Sequence, residues 1–363
     1  MPERPKSQTP TCRYSESVSK RNNTPALPPR PPIAGDWAEV RLHVVSGKGG
    51  TGKTTVASAL AIALATGGRR ILLMEVEGRQ GIAQMFDVPP LPYEERHIAI
   101  APDGGEVYAL AVDPEAAFLE YLDLFYNMRR AGTALRKLGA MDFATTISPG
   151  IRDVLMTGKA MEAVRRKDES GQPIYDAVVL DAPPTGRIAR FLNATSEVGS
   201  LAKVGPIKKQ SDSVMEVLQS PQTKIHLVTL LEEMPVQETL DGLEDLKVNQ
   251  LPAGAVIVNM LREPRLDESA LQSAREGTLD AAKIESSLAT TSLPRHLKIK
   301  EITAALIDEA ADHAQRVQLE RDERHRLDDC GHTIYELPEL TGGVDLGGLY
   351  ALARMLRAEG VAQ

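Results

Sequence analysis

The stretch Val44–Thr55, VVSGKGGTGKTT, constrains this chain more than any other. An apolar strand runs into a glycine-rich turn, Gly47-Lys48-Gly49-Gly50-Thr51-Gly52-Lys53-Thr54, and the turn opens an alanine-rich helical segment. Strand, glycine-rich turn and helix in that order form a phosphate-cradling loop. Glycines at 47, 49, 50 and 52 let the backbone turn tightly, so successive N–H groups can converge on an anion. The helix N-terminus adds its dipole to the same site. In such a loop Lys53 reaches the β- and γ-phosphates, the Thr54 hydroxyl ligates Mg²⁺, and Thr55 lies near the α-phosphate. A second lysine, Lys48, directly follows the first glycine.

The rest of the chain alternates strands and helices. Arg41 to Ser46 is the first strand, and Lys53 to Thr66 a helix stopped by Gly67-Gly68. Further apolar strands are predicted at Arg70–Met74, Glu106–Val112, Tyr175–Asp181, Lys224–Leu231, Ala253–Asn259 and Thr333–Leu337, with a closing helix at Leu346–Ala358. Between Pro114 and about residue 220 the pattern is helical apart from the strand at 175–181. Near-continuous apolar strands separated by helices predict an α/β fold: a doubly wound, mostly parallel sheet of the P-loop NTPase type, with a helical insertion region. The expected organisation is a disordered, proline-rich tail over 1–37, then a single domain over 38–363 with its helical subdomain at about 114–220. Eight prolines fall in the first 36 residues among Ser, Thr, Asn, Lys and Arg, a composition that buries too little surface to order itself. The PPRPP run within it can adopt polyproline II.

The strand in YDAVVLDAPPTGRIARFL ends in Asp181, which puts a carboxylate at the C-terminal edge of the sheet beside the loop. There Asp181 can hold Mg²⁺, directly or through water, and complete the coordination begun by Thr54. The turn Pro183-Pro184-Thr185-Gly186 is a candidate γ-phosphate-sensing segment. Together these residues predict a phosphate-bearing nucleotide and Mg²⁺ as the ligands.

Composition removes other classes. The net charge is −8, with no basic stripe, which argues against nucleic acid as a main partner. No stretch approaches the roughly 20 apolar residues of a membrane span, and no secretory segment is visible. Cys12 and Cys330 are the only cysteines, too few for a disulfide framework, and a reducing, cytoplasmic setting is expected.

The loop KGGTGKTT and the segment DAPPTGRIARFL resemble the two most characteristic blocks of the arsenical-pump-driving and tail-anchored-protein-targeting ATPases, a family of the deviant Walker A class. VTLLEEMPVQETL (Val228–Leu240), the VIVN strand and the ELPEL…LGGLYALA tail are similar to its later blocks. The resemblance spans about Val40 to Arg357 and looks closest to the actinobacterial branch, whose members are often encoded as neighbouring paralogues.

The resemblance implies a dimeric ATPase. Lys48 would be the signature lysine that reaches across the dimer to the partner's phosphates, and Asn259 the asparagine that contacts adenine. As a strand-end residue, Asn259 also fits a turn former. The family's water-orienting aspartate falls on Glu77, one C–C bond longer, about 1.5 Å. A displacement of that size can slow a reaction on the order of 100-fold. Arg187 stands where the family often has histidine, and either neutralises phosphate or pairs with an acidic residue. The cysteines cannot form the family's metalloid site, and the Cys-x-x-Cys zinc bridge is missing. Phe118, Leu119, Tyr121, Leu122, Phe125 and Met128 make an apolar helical face, with Met141 and Phe143 beyond it. By resemblance this is a groove for a hydrophobic protein client; by periodicity it more readily packs into its own domain. The expected activity is Mg²⁺-ATP hydrolysis in a dimeric nucleotide switch, with Lys48, Lys53, Glu77 and Asp181 as the catalytic set and a homodimer or a paralogue pair as the assembly. The alternative is a low-turnover nucleotide-binding subunit paired with an active paralogue.

Overall fold

The computed structural model describes residues 37, 39–126, 149–201, 206–291 and 298–361 of the 363-residue chain. Eight strands form one sheet: β1 (Leu42–Gly47), β2 (Arg70–Glu75), β3 (Arg96–Ala101), β4 (Gly105–Ala111), β5 (Ala177–Asp181), β6 (Thr223–Thr229), β7 (Ala253–Leu261) and β8 (Ile334–Pro338). Their order is β3-β4-β2-β5-β1-β6-β7-β8. Every neighbouring pair is parallel except β3 and β4, which form an antiparallel hairpin at one edge. The mostly parallel α/β sheet is thus as the sequence predicts, with one strand more. β3 escaped the apolar-run criterion because it lies at the edge: Arg96, His97 and Ile100 are exposed while Ala99 and Ala101 are buried.

Alternate residues along each central strand feed two cores. Val45, Ile71, Leu73 and Val179 pack with helix α1 (Lys53–Ala65) and the closing helix Leu346–Ala358. Leu42, Val44, Leu72, Met74, Val178 and Leu180 pack with the helices Pro149–Arg165, Thr185–Leu201 and Glu233–Val248. A strand buried on both faces must be apolar throughout, which is why these segments read as continuous runs. α1 lies between the sheet and the closing helix and is buried on all sides except at Thr54. Its alanines allow that close approach. The helices Glu268–Arg275, Ala281–Ala289 and Ile299–Asp328 pack together beyond β7 around Leu271, Ala274, Ala314 and Val317. β1 is flanked by β5 on one side and β6 on the other, so the chain changes direction across the sheet there. In open parallel sheets ligands bind at the carboxyl end of such a switch point.

At the opposite end of β1, His43 and His226 lie side by side under Trp37, whose ring stacks on both, with centroids 5.3 and 5.2 Å away. The Ala255 N–H donates to His226 Nδ1 (3.1 Å), so in neutral His226 the proton sits on Nε2, from which it is donated to His43 Nδ1 (3.1 Å). His43 Nε2 is buried without a partner. Burial holds His226 down to a pKa of about 3, helped by Lys224. Burial, and then His226, holds His43 well below the usual histidine range. Both rings therefore stay neutral in the fold, whereas the unfolded chain takes up protons below pH about 6.5. Their contribution to stability is complete above that pH and is lost as pH falls toward the folded values. For His226 the loss is about 2 kcal/mol at pH 5. Urea unfolding followed by emission of Trp37, the chain's single tryptophan, is expected to show a lower midpoint at pH 5 than at pH 7. Equal midpoints would exclude the pair as an acid-labile element.

Candidate functional site: a phosphate loop facing a buried carboxylate

Gly47 ends β1 with no room for a side chain: a Cβ there would lie 2.2 Å from the carbonyl oxygen of Val228 on β6. The loop then closes a turn in which the Thr51 N–H (3.3 Å) and hydroxyl (2.9 Å) both donate to the Lys48 carbonyl. Gly52, with φ of 85°, caps α1 from the left-handed region that glycine adopts without strain. Lys53 is the first residue of the helix and is buried, Thr54 the second, and Thr55 the third, its hydroxyl 3.8 Å from Met85 Sδ.

Thr54 meets Asp181. Its Oγ1 donates to Asp181 Oδ2 at 2.7 Å, joining residues 127 positions apart. The strand pairings enforce the meeting, since β5 lies beside β1 with Val45 opposite Asp181, and the Ala182 N–H donates to the Val45 carbonyl. The Ser46 hydroxyl donates to the Pro183 carbonyl at 2.6 Å, tying the loop entrance to the Asp181–Gly186 segment. Burial pushes the Asp181 pKa up to about 6; the Thr54 hydrogen bond and nearby Lys53 oppose the rise, and Glu75 and Glu77 add to it. A carboxylate and a hydroxyl in contact at the mouth of a phosphate loop are hard oxygen donors of the kind Mg²⁺ takes when phosphates and water fill its remaining positions. The residues present fit that ion. Among the described residues no three His, Cys, Asp or Glu side chains gather as a metal cluster, and a Mg²⁺ shared with phosphates needs none.

The other predicted residues fall into place around this pair. Asn259 lies within β7 rather than in a turn, is 4% exposed, and donates from Nδ2 to the Thr51 carbonyl at 2.9 Å. The structure therefore brings it against the loop, where it props the backbone. Lys48 Nζ lies 2.9 Å from Glu238 Oε1 in its own chain. The other Glu238 oxygen accepts from the Thr185 hydroxyl at 3.5 Å, so one side chain touches both the loop and the segment after Asp181. Glu77 follows β2 and is 3.8 Å from Arg79. Arg187 lies 3.8 Å from Asp153, which favours the pairing role over phosphate neutralisation. Phe118 packs against the core. The side chains of Tyr121, Leu122 and Phe125, and residues 127–148 with Met128, Met141 and Phe143, lie outside what the structure describes.

Two site residues were not singled out from sequence. Glu238 stands in the VQETL block with nothing local to mark it. Glu75 ends a buried strand in a carboxylate, the same signal that marked Asp181, and sits opposite Asp181 in register.

Residues 40–220 match the family model described as Anion-transporting ATPase. The chain is 54% identical over 323 residues to ATPase BagA of Mycobacterium tuberculosis, covering 89% of this chain and 94% of that protein. The chain belongs to the anion-transporting ATPase family. More distant relatives include ATPase GET3 of Kluyveromyces lactis, 24% identical over 262 residues, covering 63% of this chain and 74% of that one. The Arsenical pump-driving ATPase of Acidiphilium multivorum is 26% identical over 248 residues, covering 63% of this chain and 41% of the relative. Membership makes this an ATP-binding protein of an ATPase family. No helix among the described residues is long and apolar enough to cross a membrane.

Proposed function

We propose that the chain is a Mg²⁺-dependent ATPase working as a dimeric nucleotide switch, and that its cycle drives capture and release of an apolar protein segment. The observation that carries this reading is the 2.7 Å contact between Thr54 and Asp181 at the mouth of the loop. Lys53 and the loop amides hold the phosphates. Mg²⁺ bound by Thr54 and Asp181 would neutralise charge on the β- and γ-phosphates. Glu77 orients the attacking water, and Asp181–Gly186 carries the change in phosphate state into the helix Thr185–Leu201.

Lys48 supports the dimeric form of the switch. In this chain its ammonium is partly exposed and rests on Glu238, with side-chain exposures of 30% and 36%. An ion pair so open to solvent contributes at most about 1 kcal/mol, so Lys48 can leave it for a partner's phosphate at little cost. The expected result is that wild type dimerises, or tightens an existing dimer, with ATP and Mg²⁺, and that Lys48→Ala does not. Light scattering with and without nucleotide reads this. Full ATP turnover by a protein that stays monomeric would sink the dimeric switch. Stimulation of turnover by an apolar helical peptide tests the client half of the proposal.

Glu77 favours a second reading, in which this chain binds ATP but turns it over slowly beside an active paralogue. Single-turnover hydrolysis by wild type and by the Glu77→Asp and Glu77→Ala variants separates the two. Turnover strongly slowed by alanine supports the enzyme, and turnover that arises only on adding the paralogue supports the partner.

A further inference from the structure

Glu77 sits on a short arch whose two feet are fixed. On one side Val76 is buried in the core. On the other, Gln80 clasps Leu91: the Leu91 N–H donates to Gln80 Oε1 at 2.7 Å, and Gln80 Nε2 donates to the Leu91 carbonyl at 3.1 Å. Only Glu77, Gly78 and Arg79 lie between. Gly78 (φ 67°) and Gln80 (φ 58°) are both left-handed, and for Gln80 that conformation is unfavourable and needs support from elsewhere.

Glu75 supplies the support. The residue is 2% exposed. Oε1 accepts the Gln80 N–H at 2.6 Å and Oε2 accepts the Ile82 N–H at 3.3 Å. Among the described residues no salt bridge reaches it, so these two backbone groups satisfy its buried oxygens. Between them lies Gly81, close beside the loop helix: a Cβ there would be 3.2 Å from Thr54 Cγ2. The peptide that Glu75 grips thus lies next to the same threonine that donates to Asp181. Glu75 and Asp181 are also register partners on adjacent strands.

We propose that Glu75 is a positioning residue for hydrolysis, holding the arch so that Glu77 stands at a fixed place. The inference rests on the ATPase reading above. A glutamate in the water-orienting position has more reach and more rotamers than an aspartate, so its usefulness depends on how firmly its backbone is held. A slip of about 1 Å there can cost on the order of 100-fold in rate.

The test is a double-mutant cycle on the full chain with Glu75→Ala, Glu77→Ala and both, read by single-turnover ATP hydrolysis and by affinity for a fluorescent ATP analogue. Glu75→Ala is expected to slow turnover about 10- to 100-fold with nucleotide affinity changed by no more than about twofold, and to cause no further slowing in the Glu77→Ala background. An equal slowing in both backgrounds would overturn the proposal, because Glu75 would then act on structure at large rather than through Glu77. Glu75→Gln keeps the volume and one acceptor. It is expected to recover part of the rate, and it carries the cycle if the alanine variant fails to fold. Amide hydrogen exchange across residues 76–84 separates the two ways of failing. Slowed turnover in Glu75→Gln with unchanged protection overturns the positioning role. Lost protection in a protein whose wild type never hydrolyses ATP sinks the ATPase reading and leaves Glu75 as the support of the arch.

Discussion

Asp181→Asn is expected to lower ATP turnover by about two to three orders of magnitude while making the nucleotide-free protein more stable. Both effects come from one fact, that a carboxylate has been buried where nothing in the chain fully neutralises it. Lys53 and the Thr54 hydroxyl draw its pKa down, yet burial wins and leaves it at about 6. The sign follows directly. A carboxyl whose folded pKa lies above its unfolded value favours the fold only at low pH, and that contribution is gone once pH has risen through the folded value. At pH 7 the ionised group therefore costs the metal-free protein about 1–3 kcal/mol. Asparagine keeps an oxygen for the Thr54 hydroxyl and removes the charge, so the cost disappears together with the cation's anchor. Thermal unfolding without Mg²⁺ and single-turnover hydrolysis with it are the two measurements. A less stable Asp181→Asn protein, or one with near-normal turnover, would show that Asp181 is an ordinary structural carboxylate.

That trade between stability and chemistry explains what could be read from the sequence and what could not. The loop was legible because its function lies in backbone freedom, and Gly47, Gly50 and Gly52 advertise that freedom locally. Asp181 was legible because its carboxylate ends a buried strand just before the Pro183–Gly186 turn, and the phosphate loop gave such a carboxylate a use. The supports were hidden because each depends on a pairing far away in the chain. Glu238 meets Lys48 only because the helix Glu233–Val248 packs beside the loop. Asn259 reads as a base contact or a turn former, and nothing local shows that it also grips the Thr51 carbonyl across 208 positions. Glu75 becomes a site residue only once β2 is known to lie against β5. The helix Ile299–Asp328 gave no signal for a different reason. Of its thirty residues only Thr303, Ala314, Val317, Glu323 and Leu327 are buried, too thin a stripe for apolar periodicity to register. Function at this site is thus written locally in the groups that would touch phosphate, and non-locally in the groups that hold them.

Gly47→Ala and Gly49→Ala separate those two layers within the loop itself. Both add one methyl group, and both lie in the same glycine-rich turn. At Gly47 the new carbon would stand 2.2 Å from the Val228 carbonyl oxygen and 2.9 Å from Thr51 Oγ1. The first of these is backbone of a central strand, paired in register with Gly47 itself. It cannot rotate away as a side chain would, so β1 and β6 must part or the loop must shift. Overpacking of this kind costs about 1–3 kcal/mol, and the midpoint of thermal unfolding is expected to fall by several degrees along with nucleotide affinity. At Gly49 no protein atom lies within 4 Å of the added carbon. The unfolding midpoint there is expected to stay at the wild-type value, so any loss of ATP affinity must come from the methyl group meeting the nucleotide. Equal destabilisation by the two substitutions would mean that the loop tolerates crowding differently from this packing, and that the close approach of Gly47 to β6 does not set its geometry.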